Sequence, residues 1–123
     1  MVTEDYVSFE TAKLLKEKGF NDFTCHSFYY KNGDIEEEMR YEGDFGRPTI
    51  QMAMKWLREV HNLVIEPYRT ACGYLYTISS IPYGSTKYDN SQAFNGDDED
   101  SGQWSTWEKA CEDGINCCLE NLI

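Results

Sequence analysis

The stretch from Pro48 to Asn62, PTIQMAMKWLREVHN, constrains the fold more than any other part of this chain. Ile50, Ala53, Met54, Leu57 and Val60 recur at three- and four-residue spacing, the period that gathers side chains on one side of an α-helix. Trp56 borders that stripe, and Lys55, Arg58 and Glu59 fall outside it. Pro48 restricts the entry, Thr49 offers a hydroxyl for the N-cap, and Asn62 suits a left-handed stop. A helix with one apolar side must bury it, so the rest of the chain has to supply a covering surface.

Two further helices share that requirement. Ser8 is a good N-cap for the first, whose stripe is Phe9, Ala12 and Leu15, with Leu14 at its edge. Gly19 followed by Phe20 reads as a Schellman stop, with Phe20 folding back on Leu15. The last begins at Ser105, three residues before Glu108, the spacing of a capping box. Its apolar stripe is Trp107, Ala110, Cys111, Ile115, Cys118, Leu119 and Leu122.

Strands fill the intervals. Cys25–Lys31 and Ile35–Tyr41 flank Asn32-Gly33, a pair suited to the positive φ angles of a type I′ turn. Such a two-residue loop pairs Tyr30 with Ile35, Phe28 with Glu37 and His26 with Met39, which makes this the apolar side. Residues 43–47 read as a loop, Leu63–Glu66 as a buried strand, residues 67–73 as a connection and Tyr74–Ile81 as a longer strand with Tyr74, Tyr76 and Ile78 on one side. From about residue 82 to 104 the chain is rich in Gly, Ser, Asn and Asp with no helical period, and it reads as a long acidic loop, with a short strand near Lys87–Phe94. The expectation is an α+β fold in the order αββαββα: a mostly antiparallel sheet of four to five strands with three helices packed on it. A length of 123 residues predicts a single globular domain, 1–123.

Three blocks in fixed order, VSFETAKLLKEKGF (Val7–Phe20), Pro48–Asn62 and WEKACEDGINCCLENLI (Trp107–Ile123), resemble small phage and prophage proteins of gut Bacteroidales. The family carries no assigned catalytic residues, so the resemblance implies a phage or prophage accessory protein without transferring a site. An acidic start and the lack of any apolar run near the about 20 residues needed to cross a bilayer predict no membrane span. Five cysteines, an odd number with Cys117 and Cys118 adjacent, predict reduced thiols. Together these predict a cytoplasmic protein of a bacterial host cell.

Charge narrows the choice of partner. The net charge is −11, and it is concentrated: residues 89–123 hold nine acidic side chains and one basic. Nucleic-acid binding depends on cations that displace phosphate counterions, so direct contact with nucleic acid is disfavoured and a basic protein surface or a divalent cation is attracted. Tyrosine is also plentiful, with nine residues. Because tyrosine and tryptophan dominate binding hot spots, an acidic, aromatic surface formed by Tyr74, Tyr76, Tyr83, Tyr88, Asp97, Asp98 and Asp100 is the expected protein-binding site. One version of that binding is mimicry of nucleic-acid charge to block a basic site.

The alternative is a small-ligand or ion binder. From Asp97 to Glu108, oxygen-bearing residues stand at positions 1, 3, 5 and 9 of a 12-residue frame, glycine at 6 and glutamate at 12, the spacing of a calcium loop. Asp97, Glu99, Ser101 and Glu108 are then the candidate Ca2+ ligands. A nucleotide sequestered on the tyrosine-rich sheet face is the second form of this alternative, although no Gly-rich phosphate loop accompanies it. No enzyme is expected. His61 ends a helix, and His26 and Cys25 alternate along a strand, so no cysteine–histidine dyad is formed. No cofactor other than calcium is implied.

Overall fold

The computed structural model describes residues 4–20, 25–36, 44–81, 84, 86–89 and 104–123. Ser8 caps the first helix, α1 (Phe9–Glu17), its hydroxyl accepting from the Thr11 amide. At the other end Gly19 adopts φ +97, Phe20 N–H donates to Leu15 C=O and Gly19 N–H to Lys16 C=O, the two bonds of a Schellman stop. Phe20 and Leu15 are both buried there.

Strand β1 (Phe28–Tyr29) follows and pairs antiparallel with β2 (Ile35–Glu36), but in a different register from the one expected. Tyr29 lies opposite Ile35 and Phe28 opposite Glu36. The loop is therefore Lys31-Asn32-Gly33, closed by Tyr30 N–H to Asp34 C=O and Gly33 N–H to Tyr30 C=O. A type I′ turn needs positive φ at both central residues, and here only Gly33 has it, at +95. The Asn32 side chain accepts from the Asp34 amide instead, as asparagine does in local turns. A shift of one residue exchanges faces. Ile35 is thereby moved to the side of the sheet that carries Tyr29, yet it is 51% exposed while Phe28 and Tyr29 are both buried; Glu37 and Met39 lie outside the described residues.

The expected loop at 43–47 contains a strand, β3 (Phe45–Gly46), paired antiparallel with the free edge of β1. With both edges of β1 occupied, this three-stranded sheet, β2-β1-β3, cannot merge through β1 with the strands that follow. The fold is α+β with two antiparallel sheets in place of the single sheet of four to five strands. The small sheet packs on α1 through edge-on ring contacts of Phe9 with Tyr29 (5.5 Å) and Phe45 (5.6 Å). Lys16 Nζ lies over Phe45 and donates to Asp44 C=O at 2.7 Å.

Helix α2 (Ile50–His61) has Thr49 as its N-cap, the hydroxyl accepting from Met52 N–H, and Asn62 in the left-handed conformation at its end. Ile50, Ala53, Met54 and Leu57 are buried, but Val60 is 56% exposed. At about 100° per residue Val60 lies roughly 80° round from Ile50, at the margin of the stripe and in the last turn, where the helix clears its neighbours.

The second sheet is an antiparallel meander, β4 (Leu63–Arg69), β5 (Tyr74–Ser80) and β6 (Thr86–Asp89), in the order β4-β5-β6. β4 runs three residues past its expected end, and Pro67 pairs with Tyr76 within it. β4 lies at the edge, the place where a sheet tolerates proline. Leu63, Ile65, Tyr76 and Ile78 share a buried face, covered by α2 and by α3 (Trp107–Cys117). Helix α3 continues into a π turn, Cys118–Leu122. It approaches the sheet closely at Gly114, where an added Cβ would lie 2.8 Å from Ile65 Cγ2. One buried cluster joins the three helices with β1, β4 and β5, from Val7 and Leu15 through Leu57 to Ile115 and Leu119.

Candidate functional site

The described side chains to which the sequence assigns a role, Tyr74, Tyr76 and Glu108, lie on β5 and at the start of α3. Trp104 is joined to Tyr74 by two backbone hydrogen bonds, N–H to C=O in each direction, at 2.8 and 3.0 Å. β4 occupies one edge of β5, so Trp104 sits on the other, the edge that also holds β6. β6 leaves with Asp89 opposite Thr77, and Trp104 rejoins three residues further along β5, about 10 Å away at the rise of a strand. Asp89 and Trp104, both on this line of the sheet, bracket residues 90–103, which carry Asp97, Asp98, Glu99 and Asp100 and no basic residue and lie outside the described residues. Tyr74 is half-buried beside that line, with the Arg69 guanidinium 5.1 Å from its ring centre.

The chain then turns into α3 one residue later than the capping-box reading has it. Thr106 is the N-cap, its hydroxyl accepting from Lys109 N–H at 3.1 Å. The third residue after Thr106 is lysine, so no reciprocal side-chain cap closes, and Ser105 Oγ accepts from Lys109 Nζ instead. Glu108 lies in the first turn and lines a cavity of about 340 Å³ with Glu4, Asp5, Thr49, Ile50, Gln51 and Trp107. Across α3, Ser8, Trp104, Lys109, Glu112, Asp113 and Asn116 line a shallower one of about 240 Å³.

These acidic groups have a common physical cause. Val7 N–H donates to Pro48 C=O and Ile50 N–H to Asp5 C=O, which brings the start of α1 beside the start of α2. α2 has no acidic residue in its own first turn, and Glu4, Asp5 and Glu108 bring carboxylates to its positive end from neighbouring segments. At α1 the arrangement is bonded: Glu112 Oε1 accepts from Ser8 N–H at 2.7 Å and from the buried Thr11 hydroxyl at 2.8 Å. Three helix N-termini and their compensating carboxylates therefore meet on one side of the molecule.

No family model, curated protein or solved structure matches the chain.

Function is thus read from these groups alone. Of the candidate calcium ligands, Glu108 is placed as above, and Asp97, Glu99 and Ser101 lie outside the described residues. Among the described residues, no three histidine, cysteine or acidic side chains come together as a metal site. Of the candidate protein-binding residues, Tyr74 borders the acidic segment, while Tyr83, Asp97, Asp98 and Asp100 lie outside the described residues, as does the Tyr88 side chain. Tyr76 needs correcting. It is 1% exposed and its hydroxyl donates to Asp113 Oδ2, because the side of β5 that carries Tyr74, Tyr76 and Ile78 is the side α3 covers. Tyr76 therefore presents no open ring to a nucleotide.

Three of the five thiols are buried. Burial pushes Cys111 and Cys118 up to about 12 and raises Cys117 as well, which keeps them protonated. All five cysteines are free. Cys25 is buried and His26 exposed, and His61 packs edge-on against Trp56 at 4.7 Å. Among the described residues no helix is long and apolar enough to cross a membrane.

Sequence reasoning missed the polar seam of Ser8, Thr11, Glu112, Asp113 and Asn116. Its signal was present: Thr11 stands between Val7 and Leu15 at helical spacing, a polar residue on an apolar stripe.

Proposed function

We propose that this protein acts by binding another protein, one with a basic surface, along the edge of β5 that carries β6 and Trp104. The observation that carries this reading is the pairing of Trp104 with Tyr74 on the β6 side of β5, which fixes both ends of an acidic, cation-free segment beside aromatic rings. Carboxylates steer a cationic partner toward the edge, and the rings supply contact area once it arrives. A charge pattern of this kind suits occupation of a basic site that would otherwise hold nucleic acid. The resemblance of the three sequence blocks to phage and prophage proteins makes an accessory role in a bacterial host cell the natural setting, with no catalytic step.

The test is to change Asp97, Asp98 and Asp100 to Asn and Glu99 to Gln together, then compare capture of proteins from a host lysate at low and at 0.5 M salt. Capture by the wild type should fall with salt, and the neutralised variant should capture less and respond less to salt, because exposed charges act through screened attraction. Its melting temperature should stay within a degree or so of wild type. Identical capture by both proteins at both salt concentrations would dismiss the charged edge as the binding surface.

A further inference from the structure

β4 borders its sheet, and the direction of its backbone groups follows from the register. Just beyond the ends of the β4–β5 ladder, Thr70 N–H donates to Gly73 C=O at 2.7 Å and Ile81 N–H to Asn62 C=O at 2.9 Å. Bonded and non-bonded residue pairs alternate along an antiparallel ladder. Followed inward from both ends through an unbroken register, Val64, Glu66 and Tyr68 are the residues that bond to β5. Leu63, Ile65, Pro67 and Arg69 turn their backbone polar groups the other way, toward the open border. The far side of β5 agrees: Tyr74, which lies opposite Arg69, exchanges its backbone bonds with Trp104.

Pro67 is the exception along that border. Ile65 and Arg69 each aim an N–H outward, whereas proline has none and its ring fills the place the hydrogen would take. No bond of the sheet is lost, because this position does not face β5. Glu66 and Arg69 are exposed and Tyr68 is 37% exposed, so this end of β4 reaches water. Among the described residues no strand pairs with the outer side of β4. An open strand of seven residues is long enough to template another strand. For a second copy of this chain arriving antiparallel, a two-fold pairing centred on residue 67 sets Ile65 of each chain opposite Arg69 of the other. Pro67 then stands at the centre twice: both bonds there are missing, and each ring lies against the other chain's carbonyl.

We propose that Pro67 guards the border of β4, keeping the sheet of one chain from joining that of a second copy while leaving its own ladder intact. Sheets with exposed borders use proline and charge to this end, and here the exposed Glu66 and Arg69 flank the proline. β6 and Trp104 lie on the other side of β5, so the guard acts without touching them.

The experiment changes Pro67 to Thr, a strand-forming residue that restores the outward N–H. Light scattering of the full chain, from micromolar to millimolar concentration, should show the mass of Pro67→Thr rising toward twice the wild-type value. Amide hydrogen exchange locates the contact. In wild type, Ile65 and Arg69 should exchange about tenfold or more faster than Val64, Glu66 and Tyr68, and both should slow in the associated variant. A variant that keeps the wild-type mass at millimolar concentration overturns the proposal, as does association that leaves Ile65 and Arg69 unprotected. Should the variant fail to fold, exchange in the wild type decides. Fast Ile65 and Arg69 amides support an open border, and amides as protected as those of Val64 and Glu66 mean that the border is already covered and has no need of a guard.

Discussion

Helix α2 turns Ile50, Ala53, Met54 and Leu57 to the interior, all apolar, whereas α3 is seated by Gly114 against Ile65, by the buried Cys111 and Ile115, and by carboxylates that bond to α1 and β5. Burial of apolar area is non-directional, and the first arrangement fixes which side faces inward but leaves some freedom of sliding and rotation. Hydrogen bonds and a glycine contact are directional and tolerate little displacement. The comparison suggests a division of labour: α2 supplies much of the burial, and α3 sets the position of the sheet relative to α1.

The largest effect should come from the apolar side of that comparison. Leu57 is completely buried, and Leu57→Ala should cost ~2–5 kcal/mol, the range for truncated core leucines. Urea denaturation measures it. A loss below about 0.5 kcal/mol, the size of a surface change, would remove α2 as a main source of stability. On the α3 side, Gly114→Ala adds a methyl where Ile65 Cγ2 already stands, and Ile65 is itself packed in the core. Overpacking of this kind costs ~1–3 kcal/mol, even though alanine is the better helix former. If Gly114→Ala proves stabilising, α3 has room to shift on the sheet and the contrast with α2 disappears. The smallest effect separates two neighbouring caps. Thr106→Ala should cost about 1 kcal/mol and Ser105→Ala only a few tenths, since the Thr106 hydroxyl is the one that accepts from the helix amide. The reverse order would restore Ser105 as the cap.

The same contrast governs what could be read from the sequence. The stripe, cap and stop of α2 follow from the identities of Thr49, Leu57 and Asn62, since period and local hydrogen bonding are properties of neighbouring residues. So does the Schellman stop at Gly19. Features set by distant partners were not legible in this way. The register of β1 and β2 is a local exception: Asn32 accepts from the Asp34 amide and does not take a positive φ, and the pairing is displaced by one residue. Phe45–Gly46 lacks the length of a recognisable strand, and only the free edge of β1 makes it one. The burial of Tyr76 illustrates the limit for the candidate site: alternation places it on the same side as Tyr74, but nothing local says that α3 lies over that side. Of the acidic, aromatic surface expected from composition, Tyr74 and the two ends of the acidic segment are the parts with a described position.

The return of Trp104 to the line that β6 leaves also bears on how this chain can change. Traced as a route, β6 and Trp104 read as one strand interrupted by an excursion whose mouth is about 10 Å wide. The entropy of closing such a loop grows only with the logarithm of its length, so each doubling costs about 0.6 kcal/mol. The helices and strands described above pack on one another through residues outside the excursion. Loop closure therefore sets only a small penalty on the length of the connection between Asp89 and Trp104.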